Sequence, residues 1–325
     1  MKKILVWILL LAVLLWTPVF AETAGDTEDL DFTEISDKIS YSEKYHRFVN
    51  NLTAFSPSRA DGVIDMFNNA IDALETPVPV YLYFVESSRS HPMQAQFDED
   101  SPFYLHLCER LHTTANDHLK YTTFGEFCNY FYATDHHWNH RGAYQGYVDI
   151  IRMILGEKEK VLVPAEEVTL PVIYNGALAK AAGKAASTEQ FSLYRYNRLR
   201  TYICHINGKR HRYDNIKSYL SGRYSTEEFA NHYQLCYGGN YAKLVFETGQ
   251  AGKPNLLVFT NSIGAGVKYL LPSHFNRIVC IDLRSYLRDM GEPLSLQKTV
   301  SEYRIGQILI LGESQFFIDA KDLVP

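Results

Sequence analysis

Leu256-Leu257-Val258-Phe259-Thr260-Asn261-Ser262-Ile263-Gly264-Ala265-Gly266 decides the fold class. Four apolar residues run without interruption, as in a strand buried on both faces. A turn follows at 260–266, and Val267 to Leu271 starts a helix ahead of Pro272. That order is the unit of an α/β domain with a parallel sheet. Working outward, Ile278 to Ile281 is the next strand, ending at Asp282-Leu283-Arg284, and Arg304 to Leu311 contains another. Upstream, Val80 to Val85 is a third buried strand. Helical spacing of Val63, Met66, Phe67, Ile71 and Leu74 predicts a helix from Ser58 to Leu74, ended by Pro77 and Pro79. Further helices are expected over Phe103 to His112 and Gly142 to Leu155.

In such sheets, ligand-contacting residues gather beyond the C-terminal ends of the strands. A serine in a tight turn between strand and helix exposes its hydroxyl there. Its own amide and that of a nearby glycine can stabilise an oxyanion, aided by the helix dipole. Ser262 fits the nucleophile, with Gly264 as a donor candidate. Asn240 and Arg284 are further candidates for positioning an oxyanion or substrate, and Ser87, Ser88 and Arg89 for the rim. The competing readings are a plain turn serine at 262, a structural ion pair at Arg284, and an ordinary loop at 87–89.

A serine nucleophile needs a base, and residues 132–147 offer one. Asp135, His136, His137, Trp138 and His140 crowd into six positions. With extended backbone, Asp135 and His137 project to one face, where the carboxylate can fix the tautomer of His137 and stabilise its charged form. His136 and His140 read as structural; Trp138 is a further substrate-positioning candidate, with packing favoured over a sugar platform. Asp135, His136, His137 and His140 also make a weaker candidate metal cluster. Adjacent histidines rarely converge on one ion, so no metal is expected. A short strand is expected at Tyr130 to Tyr132.

The 325 residues carry a net charge of -5 with no basic stretch, which excludes a nucleic-acid surface. Lys2 and Lys3 precede an apolar run from Ile4 to Trp16, then Pro18 and small residues to Ala21. Residues 1–21 therefore read as a secretory signal, or alternatively an uncleaved membrane anchor, and place the remainder outside the cytoplasm. Membrane contact is expected only through this segment. Residues 22–40 are acidic and polar and read as a flexible tether. The domain is expected over 41–325, with a β-rich excursion at 160–245 made of Val168 to Tyr174, Phe191 to Tyr196 and Thr201 to Ile206, and a turn at Asn207-Gly208. The five cysteines form no CxxC pair, and a buried free thiol is expected at Cys280. Some of the 23 tyrosines suit a carbohydrate groove, although most are expected in the core.

Thr134-Asp135-His136-His137-Trp138-Asn139-His140-Arg141-Gly142-Ala143-Tyr144, with the later strand and Asn261-Ser262-Ile263-Gly264 turn, resembles the DHHW family. That family is similar to the catalytic domains of extracytoplasmic alginate-type O-acetyltransferases, within the SGNH hydrolase superfamily. The resemblance covers most of residues 40–325, including Pro272 to Phe275, Ile281 to Arg284 and Ile308 to Phe317. It implies a triad of Ser262 as nucleophile, His137 as base and Asp135 as orienter. It also implies a polysaccharide acceptor and a membrane-bound O-acyltransferase as donor partner. No cofactor is implied, since acetyl-CoA is not expected outside the cytoplasm. The family serine usually follows an aspartate, and here Asn261 takes that place. An amide can still donate a hydrogen bond in the turn, but the departure keeps open a catalytically silent glycan-binding or assembly factor of the same fold.

Overall fold

The structure is a computed structural model and describes residues 30–53, 57–185, 188–212 and 214–325. The expected signal segment and residues 22–29 of the expected tether lie outside it. The rest of that tether is not a tether. Antiparallel strands β1 (Thr33–Ser36), β2 (Ile39–Ser42) and β3 (Arg47–Asn50) open the described chain. Acidic composition hid the alternation of Ile39 and Tyr41, which bury with Phe48 against Leu178 and Ala179.

Helix α1 (Pro57–Asp72) leads to β4 (Val80–Phe84), and α2 (Pro102–Arg110) to β5 (Ala115–His118). Helix α3 (Phe124–Tyr130) passes through the histidine loop to α4 (His140–Leu155). The middle of the chain holds β6 (Glu166–Ile173), α5 (Ala177–Ala182), β7 (Gln190–Arg195), β8 (Ile203–Ile206), β9 (Lys209–His211), α6 (Asn215–Leu220) and α7 (His232–Tyr237). Then come β10 (Lys243–Glu247), β11 (Asn255–Thr260), a 3₁₀ turn at Ser262–Gly264, α8 (Ala265–Lys268) and β12 (Arg277–Ile281). Helix α9 (Tyr286–Met290), β13 (Leu294–Ser295), α10 (Leu296–Tyr303) and β14 (Gln307–Gly312) follow.

The main sheet runs β5-β4-β14-β11-β12-β10-β8-β9. Its first five strands are parallel, and β10, β8 and β9 extend it antiparallel. The α/β expectation therefore holds, and the physical reason is alternation across each central strand. Leu256 and Val258 pack with Trp138, Tyr147 and Ile150 on one face. Leu257 and Phe259 pack with Phe67, Ile310 and Phe316 on the other. Each such buried side chain contributes roughly 1.5–3 kcal/mol. Among the described residues no helix is long and apolar enough to cross a membrane.

Two local expectations need correction. Phe127 and Phe131 stack at 4.7 Å, one helical turn apart, so packing carries α3 through Tyr130 where a strand was expected. The 160–245 segment is not mainly β. Strands β6 and β7 form their own ladder, β8 and β9 join the main sheet, and α5, α6 and α7 lie between. Helices of six residues are too short to show an amphipathic stripe. The Asn207-Gly208 turn is as expected: both residues have positive φ, 46° and 81°, as a tight hairpin between β8 and β9 requires.

Parallel order brings Glu86 to Arg89, Asn261 and Ser262, Asp282 to Arg284, and Glu313 and Ser314 to one edge of the sheet, after β4, β11, β12 and β14 respectively.

Candidate active site

The histidine loop, residues 131–139, is closed at its base by hydrogen bonds from Tyr132 N to His137 O (3.3 Å) and from Asn139 N to Tyr130 O (2.8 Å). Asn139 then caps α4, its side chain accepting from the amides of Arg141 and Gly142. At the loop's start, the Glu189 carboxylate accepts from the amides of Ala133 and Thr134 and from the Thr134 hydroxyl. Trp138 is fully buried and is not a sugar platform. It packs over Gly146, where an added methyl would stand 2.6 Å from its ring. Its indole N–H donates to Ile263 O at 2.8 Å, which ties the histidine loop to the serine turn.

Asp135 and His137 form the expected pair, with Nδ1 of His137 2.6 Å from Oδ1 of Asp135. The same oxygen also accepts from the backbone N–H of His137 at 3.1 Å. A local side-chain-to-backbone turn, rather than extended backbone, therefore brings them together. The other carboxylate oxygen accepts from the Tyr174 hydroxyl (2.6 Å) and from Ala177 N (2.9 Å). Burial would raise this carboxyl. The neighbouring imidazoles of His137 and His136, with the hydrogen bonds from His137 and Tyr174, outweigh it and hold Asp135 well below the usual carboxylate range. Asp135 is thus ionised and fully satisfied. Gly176 makes room for it: a Cβ there would lie 2.5 Å from the Asp135 side chain.

The His137 ring stacks on Tyr233, centroids 4.0 Å apart and planes 16° from parallel. The Tyr233 hydroxyl donates to Ser262 O (3.1 Å) and Ile263 O (3.2 Å), so one side chain touches both His137 and the serine turn. Nε2 of His137 is buried and makes no hydrogen bond among the described residues. The expected bond from the Ser262 hydroxyl to that nitrogen is therefore not formed here. Such bonds are commonly long without substrate and tighten in the reacting complex.

Ser262 is half-buried at the start of the 3₁₀ turn after β11. Asn261 caps the turn: its Oδ1 accepts from Ile263 N at 3.0 Å, where sequence reasoning had its amide donating. An aspartate would accept in the same way, so the substitution keeps the turn. The Gly264 amide is spent on Asn261 O (3.2 Å), so Gly264 does not offer the free donor expected of it. Asn240 is exposed and lines a small cleft with Asn261, Lys268 and Asp282. Arg284 forms a two-pronged pair with Asp282, at 2.9 and 2.7 Å, which is the structural alternative. Ser87 and Ser88 are buried, and Ser88 accepts from Asn50 N. Arg89 reaches Glu313 at 3.4 Å.

His136 is half-buried, with Nδ1 3.3 Å from Asp135 Oδ1 and its ring 4.0 Å from that of His137. Burial first, then the charge of His137, push its pKa down to about 3, with Arg89 and Arg284 adding to the effect. The donor atoms of Asp135, His136 and His137 lie within 4.8 Å of one another, a spacing that a metal ion can bridge. Loading it would break the His137–Asp135 bond. His140 is not part of that group: it stands 3.2 Å from Glu167 and edge-on to Tyr194, a structural place.

Sequence reasoning missed Tyr174, Gly176 and Tyr233. All three come from the segment read as an excursion, and no spacing links them to residue 135. All five cysteines are free, and Cys280 is buried as expected.

No family model and no curated protein matches the chain. Solved structures do. PatB1 of Bacillus cereus has a TM-score of 0.67 at 17% identity, over 87% of this chain and 97% of that one. Its structure with a sulfonyl adduct has a TM-score of 0.68 at 17% identity, over 89% and 100%. A DHHW family protein from Eubacterium siraeum has a TM-score of 0.65 at 15% identity, over 89% and 94%. The chain thus has the fold of a DHHW family protein, as its Thr134 to Tyr144 motif implied.

Proposed function

We propose that the chain is an exported, serine-dependent O-acetyltransferase or acetylesterase acting on a cell-envelope or extracellular polysaccharide. The observation that carries this reading is the buried Asp135–His137 pair, whose remaining ring nitrogen has no partner and whose ring is bridged by Tyr233 to the turn of Ser262. An ionised, fully bonded Asp135 holds the Nδ1 proton and leaves Nε2 of His137 as a base. Ser262 Oγ attacks the acetyl carbonyl while Nε2 takes its proton. The Ser262 amide is the remaining donor of the turn for the oxyanion, since the amides of Ile263 and Gly264 bond Asn261. The alkoxide leaves with the proton from Nε2, giving an acetyl-serine. An acceptor hydroxyl then repeats the sequence in reverse, and water in its place gives acetate.

The polysaccharide acceptor and the membrane-bound acyltransferase donor are carried by the family resemblance, and the location outside the cytoplasm by residues 1–21. A sulfonyl adduct on a protein of the same fold accords with a nucleophile in it. The silent-binder reading was motivated by Asn261, and that motive weakens because Asn261 makes the cap an aspartate would make. The test is turnover of p-nitrophenyl acetate with and without soluble oligosaccharides, with products read by mass spectrometry. Acetylated oligosaccharide supports the transferase and acetate alone the esterase. Neither product would refute both.

A further inference from the structure

A cavity of about 400 Å³ lies between β6 and the loop that precedes α7, a volume within the range of about 300–1,000 Å³ usual for small-ligand pockets. It shares two consecutive residue pairs with the candidate active site. Tyr174 bonds Asp135, and its neighbour Asn175 lines the cavity. Tyr233 stacks on His137, and its neighbour His232 lines the cavity.

His232 is 1% exposed, and its Nε2 has no partner among the described residues. A buried polar atom left unsatisfied is destabilising, so the site favours a ligand that supplies a partner. Its Nδ1 faces the Tyr219 hydroxyl at 3.2 Å. Depending on which of that pair donates, Nε2 is a donor or an acceptor; it is shielded from solvent, so a ligand hydroxyl satisfies it only once the ring turns toward the cavity. Burial lowers the His232 pKa, so the ring is neutral. Pro171 and Ile173 supply apolar wall, and Thr226, Glu227 and Glu228 supply polar wall. No lysine or arginine lines the cavity among the described residues, and two glutamates do. That charge opposes a uronate, sulfate or phosphate. Apolar surface beside hydroxyl-binding groups matches a pyranose, which has C–H faces and a polar rim.

We propose that this cavity is an acceptor subsite for an uncharged sugar unit, placed behind the residues that hold the Asp135–His137 pair. The proposal rests on the polysaccharide-modifying reading and narrows it to acceptors carrying uncharged units.

The test titrates the full chain carrying Ser262→Ala with tetramers of N-acetylglucosamine, glucose, mannose and galacturonate, followed by calorimetry and by ¹⁵N shifts of the His232 ring. At least one neutral tetramer should bind and move the Nε2 resonance, and the galacturonate tetramer should bind about tenfold or more weakly. Thr226→Trp, at an exposed lining position, should cut the neutral affinity about tenfold or more. Failure of every neutral tetramer to bind, equal binding of galacturonate, or binding indifferent to Thr226→Trp would overturn the proposal. Lack of ester turnover in the wild-type protein counts against the enzyme reading alone, because the binding arms need no catalysis.

Discussion

Gly176→Ala separates two physical arguments of opposite sign. Gly176 has φ -75° and ψ -164°, which alanine adopts freely. Backbone entropy alone therefore predicts a gain of about 0.4–1 kcal/mol. Contact predicts the reverse. The new methyl would stand 2.5 Å from Asp135 Cβ and Oδ2, against an optimum of about 3.5–4.0 Å between carbon atoms. Asp135 must move, and Oδ2 is the oxygen that accepts from Tyr174 and Ala177. Overpacking costs about 1–3 kcal/mol and a weakened hydrogen bond to a buried charge about 1.5–3 kcal/mol, so after the entropic gain the net loss should be about 1.5–5.5 kcal/mol. Urea unfolding reads that loss, with Gly125→Ala as the control. There the nearest atom would be 3.8 Å away, and stability should hold or rise by up to about 1 kcal/mol. Fluorophosphonate labelling of Ser262 should slow about tenfold or more in Gly176→Ala, since His137 loses its oriented carboxylate. A Gly176→Ala protein as stable as wild type and labelled at the wild-type rate would refute the close packing of Asp135 and its role.

Ser262→Ala and His137→Ala should each abolish acetyl-ester turnover with little loss of folding, and the double variant should be no worse than either, as steady-state rates and melting curves will show. Asp135→Asn should lower turnover strongly but less completely, while His136→Ala should change stability more than rate. The reverse pattern, with His136 essential and His137 dispensable, would make His136 the base and refute its assignment to His137. Trp138→Phe should cost about 1 kcal/mol in urea unfolding, because Ile263 O loses one donor and keeps the Tyr233 hydroxyl. Burial above all, then Arg141, pushes His140 from 6.5 down to about 4 against the pull of Glu167. The unfolded chain then binds the proton first on acidification, so the His140 contribution is intact above about pH 6.5 and is lost between 6.5 and 4. The urea midpoint should fall over that window and fall less in His140→Asn; an equal fall in both would remove His140 as the cause.

The central strands were legible because burial on both faces writes itself as unbroken apolar runs, as in Leu256 to Phe259. The Asp135–His137 contact was legible because both partners lie two residues apart. Its mechanism was misjudged, since an apolar or polar pattern does not distinguish an extended pair from a side-chain turn. Tyr174 and Tyr233 were illegible for a different reason. Their roles arise from tertiary contacts across 39 residues to Asp135 and 29 residues to Ser262. A tyrosine that will bond a carboxylate looks the same in sequence as one that fills the core. The strand character of Ile39 to Ser42 was masked by the acidic residues before it.

The central claim is that Ser262 carries the acetyl group. Acid-quenching the protein during turnover of an acetyl ester and mapping its peptides by mass spectrometry tests this directly. An acetyl group is expected on Ser262 in the wild-type protein and none in Ser262→Ala or His137→Ala. Turnover that persists in Ser262→Ala, or an acetyl group found on another residue that tracks turnover, would contradict it.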